Sequence, residues 1–208
     1  MSHAVRDSAL IPSVARLAPS AMPSEGDASR DGATLRAERL RSIVAEHYAS
    51  LWRFVRRLGV PEADAEDVAQ KCLWVVSQRI GDIAPGKEKP FLFGVAARVA
   101  KAWRRETRHR PDGGDDRLAE LPARGPDAAE QLDDRRALVL LDALLASLPA
   151  DLRTVFVLYE LEELTMAEIA RALELPAGTV ASRLRRARQA FEALSRRVRR
   201  DARAKEGR

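Results

Sequence analysis

The sequence predicts an all-α protein made of two small helical bundles joined by an acidic, flexible linker. Three observations predict it. Apolar residues recur at helical spacing through both halves of the chain, and no segment alternates as a half-buried strand would. Between the halves, residues 111–129 hold Gly113, Gly114, Pro122, Gly125 and Pro126 among many acids, a composition that reads as a linker. The 208 residues, 46% hydrophobic and 32% charged, suit one or two small domains better than one large core.

Residues 1–35 are rich in Ala, Ser, Pro, Gly and Asp, and Pro12, Pro19 and Pro23 break any regular pattern, so a disordered extension is expected. Order should begin near Leu35. Leu40, Val44, His47, Leu51, Phe54, Val55 and Leu58 form a helical stripe that stops at Gly59-Val60-Pro61. A second helix opens with Glu62, Asp64, Glu66 and Asp67, acids that a helix dipole favours in its first turns. It continues through Val68, Cys72, Val75, Val76 and Ile80 to Gly81. Residues 81–90 read as a loop. A third helix, roughly Phe91 to Arg108, should bury Leu92, Val95, Ala96 and Val99. Together these helices make a first domain over residues 36–110. Beyond the linker, helices are expected near 130–147, 150–162, 165–173 and 177–195, broken at Leu148-Pro149 and Leu175-Pro176. They make a second domain over 130–196, followed by a basic tail over 197–208.

The net charge of +5 conceals strong local polarity. From Arg98 to Arg110 there are six Arg or Lys and one acid; from Asp112 to Asp134, eight acids and two Arg; from Arg183 to Arg208, eleven Arg or Lys and three acids. Basic blocks of this kind usually meet phosphate, although basic helix ends can also be plain solvated surface. The acidic stretch between them must face solvent or a basic partner.

Catalytic signatures are missing. Cys72 is the single cysteine, the histidines His3, His47 and His109 are scattered, and neither His-x-x-x-His nor Cys-x-x-Cys occurs. No metal site or cofactor is expected, and no disulfide framework can form within the chain. With no Gly-rich phosphate loop and no nucleophile elbow, no enzyme is expected. No run approaches the about eighteen apolar residues of a membrane span, and no leader pattern opens the chain. A cytoplasmic protein without a membrane partner is the expectation.

Three segments carry binding chemistry. In TMAEIARALELPAGTVASRLRRARQAF, residues 165–191, two short helical patterns flank a tight break, as in a helix-turn-helix. Val180, Leu184, Ala187 and Phe191 form one apolar stripe of its second helix; Gly178, Ser182, Arg185 and Gln189 lie about half a turn away, flanked by Thr179, Arg183 and Arg186. A helix held by its apolar back, with hydroxyls and guanidinium groups in front, suits the major groove of DNA, although periodicity alone fits an ordinary amphipathic helix with a solvated charged face equally well. In residues 64–80, the apolar stripe leaves Asp67, Gln70, Lys71, Trp74 and Gln78 outside. A Trp on that side points to a protein interface, unless it packs against another helix of its own bundle. In residues 90–110, Phe91, Phe93 and Trp103 interleave with Arg98, Lys101, Arg104, Arg105 and Arg108, which suits unpaired bases and their phosphates, or else two of the aromatics are core and the arginines solvate the helix end. Trp103 is expected near the nucleic acid, and Phe91 or Phe93 inside.

Over residues 38–195 the chain resembles the extracytoplasmic-function (ECF) group of bacterial RNA polymerase sigma factors. DAEDVAQKCLWVV is similar to that group's polymerase-clamp helix, and FLFGVAARVAKAWRRETR to its promoter-melting and −10-reading segment. The C-terminal block is similar to its −35-reading domain, keeping Glu168, Ile169, Ala170, Gly178, Thr179, Val180, Ser182, Arg183, Leu184, Arg186, Ala187 and Arg188. The resemblance implies that Asp67, Gln70, Lys71, Trp74 and Gln78 bind core RNA polymerase. It implies −10 or melting contacts by Arg98, Lys101, Trp103, Arg104, Arg105 and Arg108, and −35 contacts by Gly178, Thr179, Ser182, Arg183, Arg185, Arg186 and Arg188. An anti-sigma factor is a further partner known in the group. This chain departs from the pattern at Lys71, Arg98 and Ala102, and carries Glu163 where a glycine is common. The competing expectation is a stand-alone helix-turn-helix regulator that binds operator DNA without polymerase.

Overall fold

The computed structural model describes residues 26–107 and 128–206, and among them all regular structure is helical. Nothing of the first twenty-five residues or of the linker core at 108–127 is described, so the disorder expected for the former and the flexibility expected for the latter lie outside these residues.

Helix α1 (Gly26–Arg57) starts well ahead of Leu35. Residues 26–34 include two Gly, two Asp, Ser and Thr, so neither propensity nor an apolar stripe marks this early start in the sequence. That stripe buries Leu51, Phe54, Val55 and Leu58, joined by Ile43. His47 is buried on the same face, and desolvation holds its imidazole below the usual pKa. The helix ends at Gly59, whose φ of 91° is open to glycine and strained for other residues.

Helix α2 (Glu62–Arg79) follows Pro61, which caps nothing with its side chain; Glu62 and Asp64 place negative charge in the first turn instead. Ala65, Val68, Ala69, Cys72, Val75 and Val76 face inward. After a 3-10 turn at Ile80–Asp82, helix α3 (Glu88–Thr107) begins inside the expected loop. Pro90 falls in its first turn, where a missing N–H breaks no helical bond. Arg39 of α1 pins this entry, donating to the carbonyls of Ile80 (3.1 Å) and Ile83 (2.6 Å) and to Glu88 Oε1 (2.9 Å). Phe54 and Phe93 meet edge to face at 5.1 Å in the centre of this three-helix bundle.

The second bundle comprises α4 (Ala128–Ala146), α5 (Ala150–Glu160), α6 (Met166–Leu173) and α7 (Ala177–Glu206). Thr165 and Glu168 form a reciprocal capping box that starts α6. Val155, Val157, Leu158, Ile169, Val180, Leu184 and Ala187 are buried, and Phe156 stacks on Phe191 at 4.9 Å. Helix α7 runs past its expected end near Ser195, so the basic tail is helical through Glu206. Residues 196–206 lack Gly and Pro and are mostly Arg, Ala, Lys and Glu, which favour helix where the apolar stripe has faded. Glu163 and Glu174 have φ of 56° and 55°, the left-handed region. A glycine is common at the first of these positions in the resembled group, and this backbone conformation supplies the reason.

The two bundles touch. Helix α6 crosses α3 at Gly94, where an added Cβ would stand 2.9 Å from the Ala172 carbonyl oxygen, and the buried apolar residues of both bundles form one connected cluster.

Candidate nucleic-acid interface

The helix-turn-helix is built from α6, the turn at 174–176 and α7. Val180, Leu184 and Ala187 anchor α7 from behind, which fixes what its other face can offer. Gly178, Arg185 and Arg186 are exposed there, while Thr179 and Ser182 are half-buried. The Ser182 hydroxyl donates to the Thr179 carbonyl at 3.0 Å, leaving its lone pairs to accept. Arg183 lies on the flank, 3.5 Å from Asp151. Arg188 turns toward α5: its Nε is 2.6 Å from Glu160 Oε1, and its guanidinium lies 5.0 Å from the Tyr159 ring centre. The hydrogen bond to Glu160 holds its pKa above the usual guanidinium value. Of the four arginines at 183–188, two therefore engage neighbouring acids and two face outward.

On α2, Asp67, Gln70, Lys71, Trp74 and Gln78 are all exposed. Their spacing puts them along one side of the helix. Trp74 is 63% exposed, so it does not pack into its own bundle.

The aromatic-basic segment divides between core and surface. Phe93 is fully buried, and Phe91 and Trp103 are half-buried against the core. Lys101 and Arg105 are exposed and Arg104 is half-buried; Arg108 lies outside the described residues. Arg98 is committed elsewhere. Its Nη1 donates to the Ala172 carbonyl at 2.8 Å and stands 3.6 Å from Glu174 Oε1, and burial draws its pKa below the usual value.

Sequence reasoning missed the charges where the bundles meet. Lys87 Nζ is 2.9 Å from Glu168 Oε1, and Arg57 Nε is 2.9 Å from Asp142 Oδ1, with both of the latter side chains nearly buried. Arg153 donates to the carbonyls of Arg57 (3.1 Å), Ala146 (2.8 Å) and Leu148 (3.1 Å), joining the carboxyl ends of a helix from each bundle. Glu162 is 4% exposed; desolvation raises its pKa, opposed by Lys89, Arg57 and Arg53. No periodicity within one helix signals a pairing across two bundles.

Among the described residues no group of His, Cys, Asp and Glu could hold a metal ion, and no helix is long and apolar enough to cross a membrane. Cys72 is buried, and desolvation pushes its pKa up to about 12, so it stays a thiol at neutral pH.

Residues 138–191 match the family model of sigma-70 region 4. Two relatives extend the likeness over both bundles. The chain is 36% identical over 156 residues to the ECF RNA polymerase sigma factor SigL of Mycobacterium tuberculosis (strain ATCC 35801 / TMC 107 / Erdman), covering 73% of this chain and 86% of SigL. It is 30% identical over 148 residues to the ECF RNA polymerase sigma factor SigE of Mycolicibacterium smegmatis, covering 71% of this chain but only 58% of SigE. Among solved structures, CnrH in complex with the cytosolic domain of CnrY superimposes with a TM-score of 0.53 at 27% identity, covering 81% of this chain and 97% of CnrH. With 36% identity spread over most of SigL, the chain belongs to the ECF group of RNA polymerase sigma factors.

Proposed function

We propose that this sigma factor divides promoter recognition between its bundles while docked on core RNA polymerase. Helix α2 offers Asp67, Gln70, Lys71, Trp74 and Gln78 to the polymerase, with the exposed indole as the apolar anchor and the rest as its polar rim. Helix α7 enters the −35 major groove from its Gly178 end. Thr179 and Ser182 contact base edges or phosphates, Arg185 and Arg186 supply the outward cations, and Arg183 and Arg188, paired with Asp151 and Glu160, add a weaker attraction for phosphate. On α3, Arg98, Lys101, Trp103, Arg104 and Arg105 face the melted −10 strand, and Arg108, outside the described residues, is assigned to the same contact.

Neither surface needs to bind tightly by itself. Joining the two readers in one chain makes the second contact intramolecular and raises its effective concentration. The acidic linker suits a basic channel in the polymerase. The chain supplies recognition and leaves chemistry to the polymerase, and it works in the cytoplasm, where polymerase and chromosome meet. An anti-sigma factor is a further partner in this reading.

The observation that carries the proposal is the pairing of an exposed Trp74 face on α2 with an outward cationic front on α7. A DNA-binding regulator has use for the second and none for the first. The test is a pull-down on core polymerase together with run-off transcription. Retention on core and a transcript made only when the chain is added support the proposal. Tight operator binding with neither retention nor transcript would favour the stand-alone regulator.

A further inference from the structure

We propose that Gln189 reads a base: it takes an adenine in the −35 element, one or two base pairs from a guanine taken by Arg185. The inference rests on reading α7 as the helix that enters the −35 groove. It adds to that reading a residue and two base identities.

Two ties fix how α7 is rotated. Arg183 stands 3.5 Å from Asp151 in the first turn of α5, and Arg188 stands 2.6 Å from Glu160 at the end of that helix. At about 100° per residue, Arg183 and Arg188 lie on opposite flanks of the buried stripe of Val180, Leu184 and Ala187. The arc that α5 leaves open is therefore the one facing away from that stripe. Gly178, Ser182, Arg185 and Gln189 run along it at offsets of zero, four, seven and eleven. Arg185 and Gln189 are exposed, and among the described residues no hydrogen bond or ion pair holds either side chain. The backbone beneath them is held still. Arg188 is tied to Glu160, and Phe191 stacks on Phe156 at 4.9 Å, so the direction in which Gln189 points is set before any DNA arrives.

The chemistry of the two side chains then assigns the bases. A primary amide sets a donor beside an acceptor, which match N7 and the exocyclic amine of adenine in the major groove. A guanidinium sets two donors in parallel, which match O6 and N7 of guanine. Gln189 is uncharged, so it adds nothing to the attraction for phosphate, and base contact is the use its position allows. Four residues separate the two, roughly 6 Å along the helix axis, against a rise of roughly 3.4 Å per base pair in the duplex. They therefore meet neighbouring or next-nearest base pairs.

The test is a selection from promoters with a randomised upstream element, using core polymerase with the full-length chain as wild type, Arg185→Ala, Gln189→Ala and Gln189→Glu. Wild type should select a guanine and an adenine one or two positions apart. Gln189→Ala should lose the adenine preference and keep the guanine, and Arg185→Ala should do the reverse. Gln189→Glu should exchange adenine for cytosine, whose exocyclic amine a carboxylate accepts. Replacing the selected adenine by 7-deazaadenine, which lacks the N7 acceptor, should weaken wild-type binding about fivefold and leave Gln189→Ala unchanged. Both side chains are exposed, so the variants should keep wild-type helicity and unfolding midpoint. A Gln189→Ala selection identical to wild type, or weaker binding to all sequences alike, would overturn the proposal and leave the −35 reading standing. If wild type selects no upstream element, the −35 reading fails and this assignment fails with it.

Discussion

Glu163→Gly should stabilise the protein. Glu163 holds φ of 56° in the turn between α5 and α6, and its side chain is exposed, so no buried contact is lost on truncation. A residue with a Cβ in the left-handed region is strained by about 1–2 kcal/mol. Glycine removes that strain but returns about 0.5–1 kcal/mol to the unfolded chain as extra conformational freedom. The balance is a gain of roughly 0.5–1 kcal/mol. Removing the carboxylate also relieves the like charge that Glu163 presents to the buried Glu162. Urea unfolding followed by helical circular dichroism should show the midpoint rising by about 0.3–0.5 M, for a slope near 2 kcal/mol/M that the variant leaves unchanged. Two controls separate the contributions. Glu163→Ala keeps the Cβ and should stay near wild type. Glu174→Gly relieves the same strain at φ of 55° but removes the partner of Arg98, so its gain should be smaller. A lowered midpoint for Glu163→Gly, or an equal rise in Glu163→Ala, would refute the strain argument.

Arg186→Ala should weaken −35 binding by the holoenzyme and flatten the dependence of log affinity on log salt by about one charge-equivalent. Arg188→Ala should change that slope less, because Glu160 already holds its guanidinium; equal slopes for the two variants would show that Arg188 leaves Glu160 on binding. Trp74→Ala should reduce retention on core polymerase with helicity intact, since the indole is exposed, and loss of helicity would return it to a structural role. Leu184→Asp puts a carboxylate into the small core behind α7 and should abolish cooperative unfolding of the second bundle; a normal melting curve would show that the core lies elsewhere. The Glu168 carboxyl is held down to about 2 by the hydrogen bond from Lys87, aided by Thr165. Its depressed pKa contributes stability that is fully present above the ordinary 4.5 and is lost as pH falls toward about 2. Glu162, raised by burial, acts in the opposite sense, losing its contribution as pH rises. Acid titration of stability should therefore show a loss in the lower window that Lys87→Gln diminishes, and an identical profile in that variant would refute the assignment.

Periodicity located the core residues because burial is written along each helix: Leu51, Phe54, Val68, Val76, Val180 and Leu184 all fall on stripes visible in the sequence and all lie inside. It also left Trp74 outside, where the structure has it. Helix ends were less legible. Residues 196–206 are helical by propensity without an apolar stripe, residues 26–34 are helical with neither signal, and Pro90 proved compatible with a first turn. The interleaved aromatics at 91–103 show a limit of composition, because Phe93 and Arg98 share a helix yet face the core and the second bundle respectively. Contacts between bundles were not legible at all: Arg57 and Asp142 are 85 positions apart, and nothing in either local pattern ties them.

In the proposed function, one chain confers promoter choice on core polymerase through two separate readers. Mapping transcription start sites on genomic DNA, with core polymerase alone and with core plus this chain, tests it most directly. New start sites should share an asymmetric two-part element upstream, with the upstream part lost in an Arg185→Ala/Arg186→Ala variant. Unchanged start sites, together with binding to an inverted repeat in the absence of polymerase, would contradict it.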